Sequence, residues 1–168
     1  MHDQPRYEAF EATDFFKDGL SARPPVAGTV ARGQLNDDEH LYTGKVGGAL
    51  ARSYPMPITR PFLDRGRERF DIYCTPCHGR LGLGDGMIVQ RGFKKPTSMH
   101  DERLRQEPPG YFFDVMTNGF GAMASYAAQV RPEDRWAIAA YIRVLQLSQN
   151  ASIDDVPAPQ RRVLEGTR

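Results

Sequence analysis

The sequence predicts a mainly α-helical domain, led by a long extended arm and followed by a short tail. Three observations carry this expectation. Apolar residues in the middle of the chain recur at helical spacing, proline and glycine punctuate the first third, and strand-like alternation is absent. Residues 1–57 read as the extended N-terminal arm, 58–147 as the compact domain and 148–168 as the C-terminal tail.

The arm carries Pro5, Gly19, Pro24, Pro25, Gly28, Gly33, Gly44, Gly47, Gly48, Pro55 and Pro57, which leave little room for a sustained helix. It also carries Tyr7, Phe10, Phe15 and Phe16, whereas disordered linkers are poor in aromatics. Three readings of the arm follow: it folds back on its own domain, it lies across another subunit, or it is disordered.

In the domain, Thr59 is suited to cap a first helix, with Pro61 in the opening turn, where its missing N–H is harmless. Phe62, Gly66 and Phe70 then share one face, and Gly66 would let another backbone come close. A second helix is expected from Pro109 through Tyr111, Phe112, Val115 and Met116, closed by Gly119. The last starts near Pro132, with Glu133 and Asp134 favourable at its positive end. Trp136, Ala140 and Val144 form one stripe, and Ala137, Tyr141 and Leu145 the next. The tail, with Asp154, Asp155, Pro157, Pro159, Arg161 and Arg162, reads as a surface strap or a disordered end.

Composition narrows the function classes. Lys and Arg number 22 against 21 Asp and Glu, a net charge of +1, so no nucleic-acid partner is expected. No run approaches the roughly 20 apolar residues that span a bilayer, so no transmembrane helix is expected either. There are two cysteines, three positions apart, which is no disulfide framework.

Those cysteines begin Cys74-Thr75-Pro76-Cys77-His78, the C-x-x-C-H signature of covalent haem attachment. Two thiols one helical turn apart can each add to a porphyrin vinyl group, and the next residue can offer its imidazole to the iron. The motif implies one covalent haem c. A thioredoxin-like dithiol would belong to a βαβ setting, which is missing here. Zinc would need four ligands, and His2, His40 and His100 are scattered as surface histidines would be.

The second axial ligand is sought among Met87, Met99, Met116 and Met123. Met116 lies on the expected second helix and reads as wall, and Met87 follows His78 too soon. Met99, beside His100, stays open on spacing alone. Met123 fits best, in the irregular stretch Gly119–Met123 between two helices. His78 and Met123 are therefore the expected iron ligands. Phe70, Ile88, Phe93, Phe112, Met116, Phe120, Tyr126, Trp136 and Tyr141 are the expected pocket walls.

Residues 58–147 resemble a class I cytochrome c domain through Gly66, Phe70, Cys74–Gly79, Met123, Trp136 and Tyr141. The resemblance implies that the first and last helices cross at the small residue, so that Gly66 and Phe70 meet Ala137 and Tyr141. By position, Pro96 matches the family residue whose carbonyl orients the haem-ligating histidine.

The whole chain resembles the mono-haem cytochrome c subunit of the bacterial quinol-oxidising assembly called alternative complex III. The resemblance runs through Met1–Pro5, Asp14-Phe15-Phe16, Arg23–Gly33, Tyr42-Thr43-Gly44 and Val115–Tyr126. It implies an electron-transfer subunit, not itself an enzyme. Such a subunit receives electrons from a multi-haem partner and passes them to a soluble cytochrome or terminal oxidase, on the periplasmic side of the membrane. Met1–Ala12 shows no secretion leader, so the expectation is that a leader was removed or left out; the resemblance implies a lipid anchor on an N-terminal cysteine, which Met1–Ala12 lacks. The alternative is a diffusible periplasmic shuttle; the cluster Arg91, Lys94 and Lys95 would steer acidic partners under either reading. A haem enzyme, a third class, would need an open iron position that Met123 closes.

Overall fold

Helix crossing at a glycine sets the frame of the domain. The computed structural model describes residues 4–165; Met1, His2 and Asp3, part of the arm motif, lie outside the described residues. In chain order the elements are α1 (Glu39–Thr43), β1 (Lys45–Val46), β2 (Ala49–Leu50), α2 (Arg60–Tyr73), α3 (Thr75–His78), α4 (Met87–Gln90), α5 (Glu102–Gln106), α6 (Pro109–Asn118), α7 (Pro132–Asn150), a 3-10 turn (Ile153–Asp155) and α8 (Ala158–Glu165).

Helix α2 is capped as expected, Thr59 accepting from the Phe62 N–H at 3.3 Å. Its Gly66 lies against α7 so closely that a Cβ there would stand 2.1 Å from the Ala137 carbonyl oxygen. One turn on, the rings of Phe70 and Tyr141 meet edge to face at 5.5 Å. Arg65 clasps Asp134 with two hydrogen bonds, 2.7 and 3.0 Å. Helix α6 ends at Gly119, whose N–H returns to the Val115 carbonyl, and α7 opens at Pro132 as anticipated.

The core has two parts. One gathers Phe70, Met99, Leu104, Phe112, Met116, Val130, Ile138, Ala139, Ile142 and Leu145. The other is built on Trp136, Phe113 and Ala51. Trp136 is fully buried, stacked on Phe113 at 4.8 Å, and donates from its indole N–H to the Leu41 carbonyl at 3.0 Å. Val144 departs from its expected stripe and is 40% exposed.

Packing divides the chain after Asp37, twenty residues before the break that composition suggests. Residues 38–57 belong with the helices: Ala51 exchanges hydrogen bonds with Gly44 and Gly110, and Tyr54 meets Trp136 edge to face. They include the hairpin β1–β2, two residues a side, too short to show alternation in sequence. The tail forms the 3-10 turn and α8 rather than a plain strap. His40 and His100 lie partly exposed at the surface, each bonding a carbonyl, Ser53 and Leu81, through Nε2.

The first unit is organised by turns between Glu8 and Arg23. The Ser21 hydroxyl donates to the Glu11 carbonyl at 2.6 Å, and the Arg23 guanidinium grips both Asp18 oxygens at 2.7 and 2.8 Å. That grip holds the Asp18 carboxyl below its ordinary pKa. Phe10 has a left-handed backbone (φ 67°) and is 91% exposed; Phe15 is 80% exposed.

Candidate functional site

Cys74 closes α2 and opens α3, its N–H reaching the Phe70 carbonyl at 2.9 Å. The His78 and Cys77 N–H groups both return to the Cys74 carbonyl, at 2.9 and 3.2 Å. This single turn sets two thiols and an imidazole in fixed order on one short helix.

The loop after the motif holds that turn in place. Gly84 donates to the His78 carbonyl at 2.8 Å and Gly86 to the Cys77 carbonyl at 3.1 Å. Neither position has room for a side chain. A Cβ at Gly84 would stand 2.5 Å from the Pro96 carbonyl oxygen, and one at Gly86 2.3 Å from that of Pro76. The glycines are there because backbone must lie on backbone.

Cys74, Cys77 and His78 open onto a cavity of about 440 Å³ with largely apolar walls. Phe93, Pro96, Phe112, Met116, Phe120, Met123 and Tyr126 also line it. Phe70, Ile88, Trp136 and Tyr141 do not. Phe70 and Tyr141 are engaged with each other at the α2–α7 crossing, Trp136 anchors the second core, and Ile88 is 43% exposed on α4. Sequence reading missed Tyr73, Leu104, Tyr111, Val115, Val130, Ile138 and Ile142 as walls. Ile138 and Ile142 are four apart on α7, beside the Trp136 and Ala137 stripes, and that spacing is the available signal. Lys94, Lys95, Thr97 and Arg103 supply polar lining.

Of the methionines, Met87 is 58% exposed and does not line the cavity, whereas Met99, Met116 and Met123 do. Met116 is fixed on α6. Met99 is buried, its carbonyl taken by the Gln146 amide at 2.7 Å. Met123 closes a tight turn with Phe120, joined by backbone bonds of 2.9 and 3.0 Å. Just before that turn Gly119 (φ 80°) sits where a Cβ would lie 2.5 Å from the Met123 carbonyl oxygen.

Burial pushes the Cys74 thiol up to about 12, so it is protonated at neutral pH. A redox-active dithiol needs a lowered pKa, the opposite shift. Both cysteines are free. Burial also lowers the His78 pKa, favouring the neutral imidazole that metals bind. Its Nδ1 is buried without a hydrogen-bond partner, so the Pro96 carbonyl does not receive it, contrary to the expected match. Among the described residues no group of three or more His, Cys, Asp or Glu is placed to hold a metal ion. This donor set fits an iron porphyrin: paired thiols, a neutral imidazole and thioether sulfur around one apolar cavity.

Residues 61–142 match the family described as cytochrome c oxidase, cbb3-type, subunit III. No curated protein sequence matches the chain. Among solved structures, the chain is similar to a component of the Kuenenia stuttgartiensis reducing HAO-like protein complex, at 22% identity and a TM-score of 0.49. That likeness covers 64% of this chain and 54% of the other, so the chain spans about half the length of that relative.

Proposed function

From the cytochrome c domain at residues 61–142, a domain of electron carriers, we propose that this chain is a fixed, single-haem electron-transfer subunit of a quinol-oxidising respiratory membrane complex. In this reading Cys74 and Cys77 hold haem c by thioether bonds, and His78 and Met123 are its axial ligands. The bound haem supplies one-electron exchange at its iron, and His/Met ligation favours a raised potential. The polypeptide keeps the ligands in register, excludes water with the walls from α6 and α7, and presents a docking surface. Electrons come from a multi-haem partner and leave to a soluble cytochrome or terminal oxidase, on the periplasmic side.

The observation that carries the cofactor assignment is the convergence of Cys74, Cys77, His78 and Met123 on one cavity. Support for a fixed subunit comes from the first unit, whose Phe10 and Phe15 stay exposed on a turn-braced segment, as anchors for a partner would. Among the described residues no helix is long and apolar enough to cross a membrane, so attachment would run through partners or a lipid.

The test is purification from native membranes. The chain should migrate with a large haem-containing assembly, and removing residues 1–37 should release it with its optical spectrum intact. Recovery of the full chain as a salt-extractable monomer would overturn the subunit reading. It would favour a diffusible shuttle; Lys94 and Lys95 at the cavity offer a salt-sensitive docking patch in either case. Carbon monoxide binding to reduced protein at neutral pH would instead indicate an open iron and a haem enzyme.

A further inference from the structure

We propose that Arg143 is a positioning residue of this site, whose uncompensated positive charge raises the reduction potential of the iron. The inference rests on the haem reading above. Arg143 projects from α7, and its guanidinium lies over the Phe112 ring, 4.9 Å from the centroid. The Phe112 side chain lines the cavity and is itself buried, so the charge is applied from behind an apolar wall.

All the acceptors of Arg143 are neutral. They are the carbonyls of Leu104 (3.5 Å), Arg105 (3.0 Å) and Glu107, and the Gln146 side-chain oxygen at 2.6 Å. The nearby acids of α5 and its exit are already engaged, Glu107 by Arg103 and Glu102 by Arg105. A half-buried cation held by neutral dipoles is not cancelled by a paired carboxylate, and the field that remains after partial screening favours the reduced iron. The same bonds fix the end of α5, which carries Leu104 and Arg103 into the cavity wall.

Charge and bracing are separable. Spectroelectrochemical titration of the full-length, haem-loaded protein should be run on wild type, Arg143→Lys and Arg143→Met. At the wild-type midpoint, Arg143→Met should show a reduced-to-oxidised ratio lower by about tenfold, a 59 mV fall for one electron. Arg143→Lys should stay within about twofold, because it keeps the charge while losing the forked hydrogen bonds. A wild-type midpoint in Arg143→Met would overturn the proposal, and so would an equal fall in both variants, which would mark a bracing role only. Should Arg143→Met fail to mature, Arg143→Gln carries the same comparison. Wild-type protein without a haem spectrum would sink the function proposed above; a haem spectrum with a charge-insensitive midpoint would sink this inference alone.

Discussion

At Gly119 the backbone takes φ 80° and ψ 169°, a region that essentially only glycine enters. The next residues turn back so that Met123 bonds Phe120 in both directions, and Ser125 ties the exit of the turn to the Thr117 carbonyl at 2.6 Å. Gly119→Ala should therefore strain the turn and push its Cβ against the Met123 carbonyl, destabilising the protein by about 1–3 kcal/mol. It should also erase the weak sulfur-to-iron absorption band at the red end of the oxidised spectrum, while the haem stays covalently attached. A retained band would mean that the Gly119 turn does not hold the sulfur ligand in place, and retention in Met123→Ala would mean that Met123 is not that ligand. Cys74→Ser tests the other side of the assignment: the pyridine haemochrome spectrum should show a haem with one vinyl group left unsaturated, or no haem, where wild type shows both vinyl groups saturated. The thiol–imidazole signature was legible because it is local, five residues on one turn. The glycines that cradle it and the guanidinium behind Phe112 were not. Gly84 meets Pro96, and Arg143 meets Leu104, Arg105 and Glu107, far along the chain, and such meetings leave no spacing to read.

Between elements, the α2–α7 crossing positions the site, because α2 delivers Cys74 and α7 delivers Ile138 and Ile142 to the same cavity. Gly66 at the crossing has no space for even a methyl group, the Ala137 carbonyl oxygen being 2.1 Å from where one would begin. Rigid backbone on both sides cannot give way. Gly66→Val should cost about 3 kcal/mol or prevent maturation, visible as lost thermal stability and a poor yield of haem-loaded protein. Gly66→Val melting like wild type would mean that the helices do not cross there. The Arg65–Asp134 clasp beside it is partly sheltered, Asp134 keeping 14% of its side-chain exposure. Asp134→Asn should weaken the crossing by about 1 kcal/mol, less at high salt, as denaturant titration can measure. These helices were foreseeable because each combines a proline in its first turn with a four-residue apolar stripe, α2 adding the Thr59 cap and α7 two acidic residues at its start. The hairpin β1–β2 was not, since two residues a side carry no period.

Across the whole chain, the division after Asp37 assigns different work to two stretches of similar composition. Residues 38–57 hold as much glycine and proline as an arm, yet they close the second core. Leu41 accepts the Trp136 indole N–H, Tyr54 and His40 meet the Trp136 ring, and Ala51 pairs through its backbone with Gly110. Gly110 is forced by the same contact, a Cβ there falling 2.4 Å from the Gly44 carbonyl oxygen. Composition could not show this boundary, because glycine and proline spacing marks irregular backbone whether it is solvated or built into a core. The two truncations should therefore behave differently. Removing residues 1–37 takes away a unit with its own turns and leaves the core of the helical unit complete, so the melting temperature and the optical spectrum should stay close to wild type. Removing residues 1–57 uncovers Trp136 and Phe113 and strands a buried indole donor, a change comparable to truncating a core aromatic. It should cost about 3–5 kcal/mol, with much of the protein failing to take up haem. Equal melting temperatures for the two truncations would mean that residues 38–57 carry no stability, and a collapse of both would mean that residues 1–37 support the core as well.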